Sequence, residues 1–455
     1  MKTTRFASVV MASALLLLMT VAGRTWAADT WAEPVEMTQW LKSTQNQGPD
    51  IAPGTVITTQ NWRKYKQFMT PGMIGLFEGK WFWKMPSDVQ MPVRKTKIYP
   101  LPPNYVAATE KFGHQTKVVH LANGHNDVAN YVAGLPFPNP QAPDKGYKIL
   151  ANVWYSYVPH LYVNTPTNEA SSCTQDRYHN IACTKLIFVY RQEGYNTDPG
   201  IPRNDPRAKG VWFTEWLMVE EPEQSKYTAN LIVFHKNNQL PQDSYVFVPA
   251  LRRSLRLSVT ARCAPMVGSD FVQDDYKTTG FNGGLALFDS KFLGTRKILQ
   301  MGADYANVTG NYPKNYYMPL GLATPAWGKW ELRDVNAIDV RRVPSERPGY
   351  CYGSRIMYVD NAFWYAIWQE IYDSNMKLWK IFMGPGAHVV NVPKIGRVVT
   401  NSYSGCGIDV QNSHETCFSS INKAGRDAMF NDDAPAEYHN YTRYATPGGL
   451  MQIMR

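Results

Sequence analysis

Leu255-Arg256-Leu257-Ser258-Val259 alternates strictly, setting three apolar side chains on one face of an extended chain and two polar ones on the other. The same rhythm is read at residues 147–158, where Ile149, Ala151, Val153, Tyr155 and Tyr157 alternate with Lys148, Leu150, Asn152, Trp154 and Ser156. Further strand-like segments cover residues 185–191, 212–220, 227–235, 245–248, 291–299, 330–343, 355–360 and 378–382. Asp360-Asn361 and Asp373-Ser374-Asn375 supply turn residues between the last of these. No helices are regularly interposed, so the expected fold is a mainly β (α+β) protein built on an antiparallel meander. The composition agrees. With 27 Tyr, 18 Phe and 14 Trp the chain favours strands, and 31 Pro and 32 Gly favour turns.

The amino-terminal third reads differently. Thr59-Gln60-Asn61 opens a helical stretch in which Trp62, Tyr65, Phe68 and Met69 recur at helical spacing, ending before Pro71-Gly72. Residues 31–48 suggest a short helix or an arm, and residues 85–143 a covering segment rich in Pro and Gly. The first 27 residues have the order of a secretory leader: Lys2 and Arg5, an apolar run containing Leu15-Leu16-Leu17-Leu18, then the exit Thr25-Trp26-Ala27. The expected division is therefore a leader (1–27), a covering segment (28–145), a curved sheet (146–383) and a tail (384–455).

Loss of the leader removes Lys2, Arg5 and Arg24 and takes the formal charge from +10 to +7. Without a block of like charges, nucleic-acid binding has no support. No later apolar run reaches membrane-spanning length. An exported, periplasmic protein is expected, and six Cys in such a compartment imply up to three disulfides. Cys173 and Cys183 flank one polar loop, Cys406 and Cys417 another, which leaves Cys263 with Cys351; six Cys allow 15 pairings.

Catalytic motifs are missing. There is no Gly-x-Ser-x-Gly, phosphate-binding loop or dinucleotide fingerprint. His414-Glu415 begins like a metalloprotease helix, but Phe418 stands where the second ligand is required. His114, His120 and His125 have no metal-site spacing and read as solvated loop residues. Asp274-Asp275 beside Tyr276 reads as a solvated loop, and neither a metal nor a cofactor is expected. Arg252-Arg253 and Arg341-Arg342 sit at strand edges, where the first pair could place charge at a pocket mouth. The candidate lining of an apolar site is Trp154, Trp212, Trp216, Phe247, Leu255, Leu257, Trp330 and Trp379, with Trp62, Tyr65 and Phe68 as a lid.

A set of segments then carries a family resemblance: Ala52-Pro53-Gly54-Thr55-Val56-Ile57-Thr58, Asn61-Trp62 and Tyr65, Phe77-Glu78-Gly79-Lys80 and Phe137-Pro138-Asn139-Pro140. Tyr245-Val246-Phe247-Val248-Pro249-Ala250-Leu251-Arg252-Arg253, residues 334–342 and 355–360, and Tyr372-Asp373-Ser374-Asn375-Met376-Lys377-Leu378-Trp379 complete it. In these the chain resembles bacterial domain-of-unknown-function family 1329, grouped with proteins similar to the outer-membrane lipoprotein carrier LolA. The resemblance implies a curved, open antiparallel β-barrel, a LolA-like half-barrel, closed on its concave side by helices and loops. It implies a non-enzymatic periplasmic carrier for a lipid, sterol-like or acyl compound. An RND-type inner-membrane transporter and an outer-membrane protein are the implied partners. A hydrolase acting on an apolar or polysaccharide substrate, using Asp274, Asp275 or a nearby His, and a ligand-free envelope adaptor are the alternatives.

Overall fold

Leu255, Arg256 and Leu257 lie in a strand that forms one edge of a large sheet. This computed structural model describes residues 31–165, 171–258, 262–275, 277, 279–304, 312–384, 386–401, 405–419 and 428–454. The expected leader, residues 1–27, lies outside the described residues, as does Val259 of the opening stretch. Among the described residues the sheet has fifteen strands. The first seven are β1 (Leu161–Asn164), β2 (Ser171–Gln175), β3 (Ile181–Gln192), β4 (Val211–Glu221), β5 (Ala229–His235), β6 (Asp243–Val248) and β7 (Arg253–Leu257). Then come β8 (Phe288–Ala303), β9 (Gly328–Arg342), β10 (Ser354–Asp360), β11 (Ala366–Tyr372) and β12 (Leu378–Met383). The last three are β13 (Gly405–Asp409), β14 (His414–Ser419) and β15 (Met429–Phe430).

Across the sheet the order is β7-β6-β5-β4-β3-β2-β14-β13-β12-β11-β10-β9-β8, with β1 pairing β3 and β15. Neighbours run antiparallel, and the end strands β7 and β8 do not meet, so the sheet is open. Two meanders, β2–β7 and β8–β12, form the arms. The hairpin β13–β14 comes from the expected tail, yet it lies between the arms and joins them.

Residues 147–158 are expected as a strand; 147–155 are corrected to a helix, and 156–158 follow it in neither helix nor strand. Helix α4 (Lys145–Tyr155), the fourth after α1 (Val35–Ser43), α2 (Pro71–Glu78) and α3 (Pro103–Phe112), is buried at Tyr147 and continuously from Ile149 to Tyr155. Lys145, Lys148 and Asn152 recur at helical spacing, but Ile149, Ala151, Val153 and Tyr155 also fit a two-residue alternation, so the segment matches both periods. Asn152 fixes it from within: the side-chain amide donates to Phe137 O at 2.7 Å and its carbonyl accepts from Phe137 N at 3.0 Å.

Helix α4 also reveals the curvature. Its side chains share one core cluster with Phe213 and Leu217 of β4 and with Ile338 and Val340 of β9. Eight strand steps separate β4 from β9, which in a flat sheet is about 38 Å. An eleven-residue helix spans only about 16 Å, so the arms must fold toward each other around it.

The outer faces are covered as well. On β10, Met357 and Val359 enter the α4 cluster, while Ile356 and Tyr358 face a second cluster with Met37 and Trp40 of α1 and Met73 and Leu76 of α2. Trp62–Phe68 is a 3-10 turn that buries Trp62 and Phe68 in this second cluster, and α2 starts at Pro71, where the helical stretch was expected to have ended. On β4, Trp216 turns outward under helices α5 (Tyr441–Ala445) and α6 (Pro447–Leu450), its ring 5.0 Å from Tyr444. Disulfides join Cys173–Cys183, Cys263–Cys351 and Cys406–Cys417, the three expected pairs. No helix among the described residues is long and apolar enough to cross a membrane.

Candidate ligand site

The eight aromatic and aliphatic residues expected to line one site divide among different surroundings. Trp154 and Trp212 meet in the α4 cluster between the arms. Trp216 and Phe247 lie on the opposite face, under the carboxy-terminal helices, and Trp330 joins the amino-terminal cluster. Trp379 packs beside Phe271 and Tyr352, with its indole N–H donating to Asp409 at 2.7 Å. Leu255 and Leu257 belong to edge strand β7, where Leu257 is 41% exposed. Apart from Trp154, which lies on α4, these residues are on strands that the sequence identified, but the sequence did not show which face each helix covers.

Trp154 and Trp212 do form part of an aromatic chamber. Trp154, near the end of α4, packs edge-to-face against Trp212 at 5.1 Å, Phe234 at 6.0 Å and Phe281 at 5.9 Å. The bulge at the start of β4 lets adjacent Trp212 and Phe213 enter the same cluster. Lys277 is held inside: its Nζ stands 4.5, 4.4 and 4.7 Å from the ring centres of Trp154, Trp212 and Phe213. It donates to Trp154 O at 2.6 Å, which satisfies a carbonyl in the last turn of α4. Glu215 of β4 accepts from the Asn282 amide at 2.8 Å. Burial brings the lysine down to about 7 and pushes the Glu215 carboxyl up to about 8, each opposed by attraction to the other. Glu215 Oε1, Asn282 Oδ1 and Trp212 Nε1 have no hydrogen-bond partner among the described residues. Such orphaned polar atoms in an aromatic interior are the points at which a polar group of a guest can be held.

A surface groove of about 380 Å³ opens between α3 and residues 196–203. Its Phe112 ring lies beneath Arg203 at 4.9 Å and beside Lys111 at 5.3 Å. The groove adjoins the end of α4. Tyr105 of α3 donates to Tyr155 O at 3.0 Å, and groove residue Asp198 accepts from the Tyr157 hydroxyl and the His160 amide, each at 2.9 Å. Sequence reasoning missed Lys277, Glu215 and Arg203, because a lone Lys, Glu or Arg carries no spacing signal.

The remaining candidates lie elsewhere. Arg252 sits at the β6–β7 turn with φ 49°, and it and Arg253 are exposed, away from both chamber and groove. Asp274 and Asp275, expected in a solvated loop, are instead buried and charge-paired. Asp274 accepts from Arg262 at 2.7 Å and Tyr350 at 2.7 Å, and Asp275 pairs with Arg355 and accepts from Tyr352 at 2.9 Å. Burial alone would raise Asp274, but Arg262 and Arg342 hold it below the usual carboxylate range. Both carboxylates are therefore structural anchors. His120 and His125 bond to Asn126 at 2.7 Å and Glu346 at 3.2 Å, while His114 is exposed. Asp270 accepts from Thr416 Oγ1 and bonds His414, both at 2.7 Å. The hydroxyl thus meets the carboxylate rather than the imidazole, which is not the order of a nucleophile and its base.

An uncharacterized protein of Pseudomonas aeruginosa, PA3922, is 25% identical over 335 residues, covering 71% of this chain and 67% of that protein. A solved domain from Vibrio parahaemolyticus, assigned to outer membrane lipoprotein sorting, aligns with TM-score 0.44 at 13% identity over 66% of this chain and 97% of its own. A DUF1329 family protein from Desulfovibrio piger also gives 0.44, at 12% identity, over 67% of this chain and 100% of its own. The sequence pattern of the family described as "Protein of unknown function (DUF1329)" matches residues 56–449, and the chain belongs to that family.

Proposed function

We propose that the protein carries an amphiphile with a long apolar part, such as an acyl chain, in the hollow between its arms. The observation that carries this reading is α4, an apolar helix lying where the curved sheet would hold a guest. Displacing it would uncover an aromatic chamber that contains orphaned polar atoms. Burial of apolar ligand surface, worth about 25 cal/mol per Å², would offset the contacts that α4 gives up. We assign the lid role to α4 and α3 rather than to Trp62, Tyr65 and Phe68. The groove beside α3, with Lys111 and Arg203, would be the way in and would favour an acidic head. The proposal extends to an exported, periplasmic protein that receives or delivers its cargo at an envelope partner, an RND-type transporter or outer-membrane protein.

The test is quenching of tryptophan fluorescence by dibromostearate, whose bromines act only at short range. The proposal expects saturable quenching of the emission that a W154F/W212F variant lacks. Quenching that is linear in added lipid, and equal in that variant, would refute it.

A further inference from the structure

Four of the six cysteines stand in one row across the sheet. Cys406 of β13 faces Cys417 of β14, Cys417 faces Cys173 of β2, and Cys173 faces Cys183 of β3. Directly opposed residues on neighbouring strands project from the same face. The two outer pairs are the disulfides, with Cα atoms 4.1 and 4.0 Å apart. That closeness marks pairs not joined by backbone hydrogen bonds. The backbone groups of Cys417 and Cys173 therefore point toward each other, and theirs is the wider, hydrogen-bonded pair, with Cα atoms about 5.5 Å apart. This is also the commonest separation in disulfides. The row thus places a third opposed pair of cysteines between the two that are bonded.

The surroundings suit exchange. The row crosses the seam where the β13–β14 hairpin meets the first arm. Cys183 is exposed, while Cys173, Cys406 and Cys417 are buried. Glu415, two residues before Cys417 on the same strand, has Oε1 2.8 Å from the Cys417 sulfur and accepts from the Tyr312 hydroxyl at 3.1 Å. Its Oε2 has no partner among the described residues. Burial pushes this carboxyl up to about 8, so it holds a proton at neutral pH. Gly321, with φ +68°, lets the covering loop reach the row: a Cβ there would fall 2.9 Å from the Cys406 sulfur.

We propose that Cys183, Cys173, Cys417 and Cys406 form a thiol–disulfide exchange site for an external dithiol reductant, which moves the cross-link to Cys173–Cys417. One thiolate of the dithiol attacks Cys183 Sγ, and the Cys173–Cys183 bond breaks to release the Cys173 thiolate. This thiolate attacks Cys417 Sγ, forming Cys173–Cys417 and expelling the Cys406 thiolate, which takes the Glu415 proton. The Gly321 carbonyl, 3.0 Å away, accepts from the new thiol. The second thiolate of the reductant then frees Cys183, which is protonated by solvent. The reductant ends as its disulfide, and the protein ends with one bond in the row and two thiols. That bond ties the first arm to the hairpin across a boundary otherwise spanned by backbone hydrogen bonds.

The test is limited reduction of the full chain with substoichiometric dithiothreitol, followed by N-ethylmaleimide and peptide mapping. The expected product links Cys173 to Cys417 and carries label on Cys183 and Cys406. Label on Cys173 and Cys183 with Cys406–Cys417 intact, or no opening of the row at all, would overturn the proposal. A C183S/C406S variant checks the geometry independently. It should oxidise to a Cys173–Cys417 disulfide, and two persistent free thiols in the folded variant would contradict the inference.

Discussion

The backbone N–H of Gly72, in the first turn of α2, donates to the Glu370 carboxylate of β11 at 2.6 Å. This couples the amino-terminal helices to the second arm, because an acidic group at a helix N-terminus meets both an unpaired amide and the positive end of the dipole. A Cβ at position 72 would stand 2.7 Å from the same oxygen and 3.0 Å from Ile381 Cδ1. G72A should therefore push the carboxyl group away and lower stability by roughly 1–3 kcal/mol, the cost of leaving a buried polar group without its partner. Urea unfolding measures it, and an unchanged midpoint would mean that the contact carries no weight.

The same carboxyl should shape the pH dependence. Burial raises Glu370 from 4.5 to about 7, against hydrogen bonds that favour its charged form. An acid whose pKa is raised by folding stabilises the fold fully below its unfolded value, and that stabilisation is lost as pH rises through the folded value. For Glu370 the window is pH 4.5 to 7, and the loss is on the order of 3 kcal/mol. His160, brought down to about 4 by burial, acts in the opposite direction over part of this range, so the comparison is with E370Q. The stability of E370Q relative to the natural chain should climb between pH 4.5 and 7. Parallel curves would remove Glu370 as the cause.

Asn152 offers a test of how α4 is held. N152A deletes both hydrogen bonds to Phe137 and leaves a buried amide and carbonyl unpaired, at a cost of roughly 2–4 kcal/mol. The loss should appear as faster hydrogen exchange in α4 and in residues 135–137, with the β3–β6 arm unchanged. Uniform acceleration through the sheet would show that α4 opens only when everything does.

Charge reversal at the groove separates recognition from stability. Lys111 and Arg203 rest on Phe112 at the surface, and exposed positions of this kind contribute little to folding. K111E/R203E should leave the unfolding midpoint within about 1 kcal/mol of the parent and weaken dibromostearate quenching at least tenfold. Equal quenching would move the way in elsewhere.

Strands β3 to β6 and β8 to β10 were legible in the sequence because their alternation follows from side chains facing separate clusters. Helix α4 was not, since Ile149, Ala151, Val153 and Tyr155 fit a two-residue alternation that competes with the helical spacing of Lys145, Lys148 and Asn152. The hairpin β13–β14 escaped notice for another reason: Gly405-Cys406-Gly407-Ile408-Asp409 is short and glycine-bearing, and it pairs with segments far away in the chain. The two local disulfides were readable from their loops, yet nothing local showed that Cys417 faces Cys173. The Asp274-Asp275 pair was misread because Arg262, Arg342 and Arg355, which justify its burial, lie 12, 68 and 80 residues away. Burial of the aromatic residues was thus visible, whereas the side of the sheet on which each ring ends depends on where α4, α5 and α6 dock.

The most direct test of carriage between the arms is mass spectrometry of an organic extract from protein isolated, without detergent, from the envelope that produces it. The account predicts an apolar or acyl-bearing molecule near one equivalent, absent from the extract of a variant in which α4 is cross-linked to β8. Clean extracts from repeated native preparations, or the same molecule recovered equally from the cross-linked variant, would contradict it.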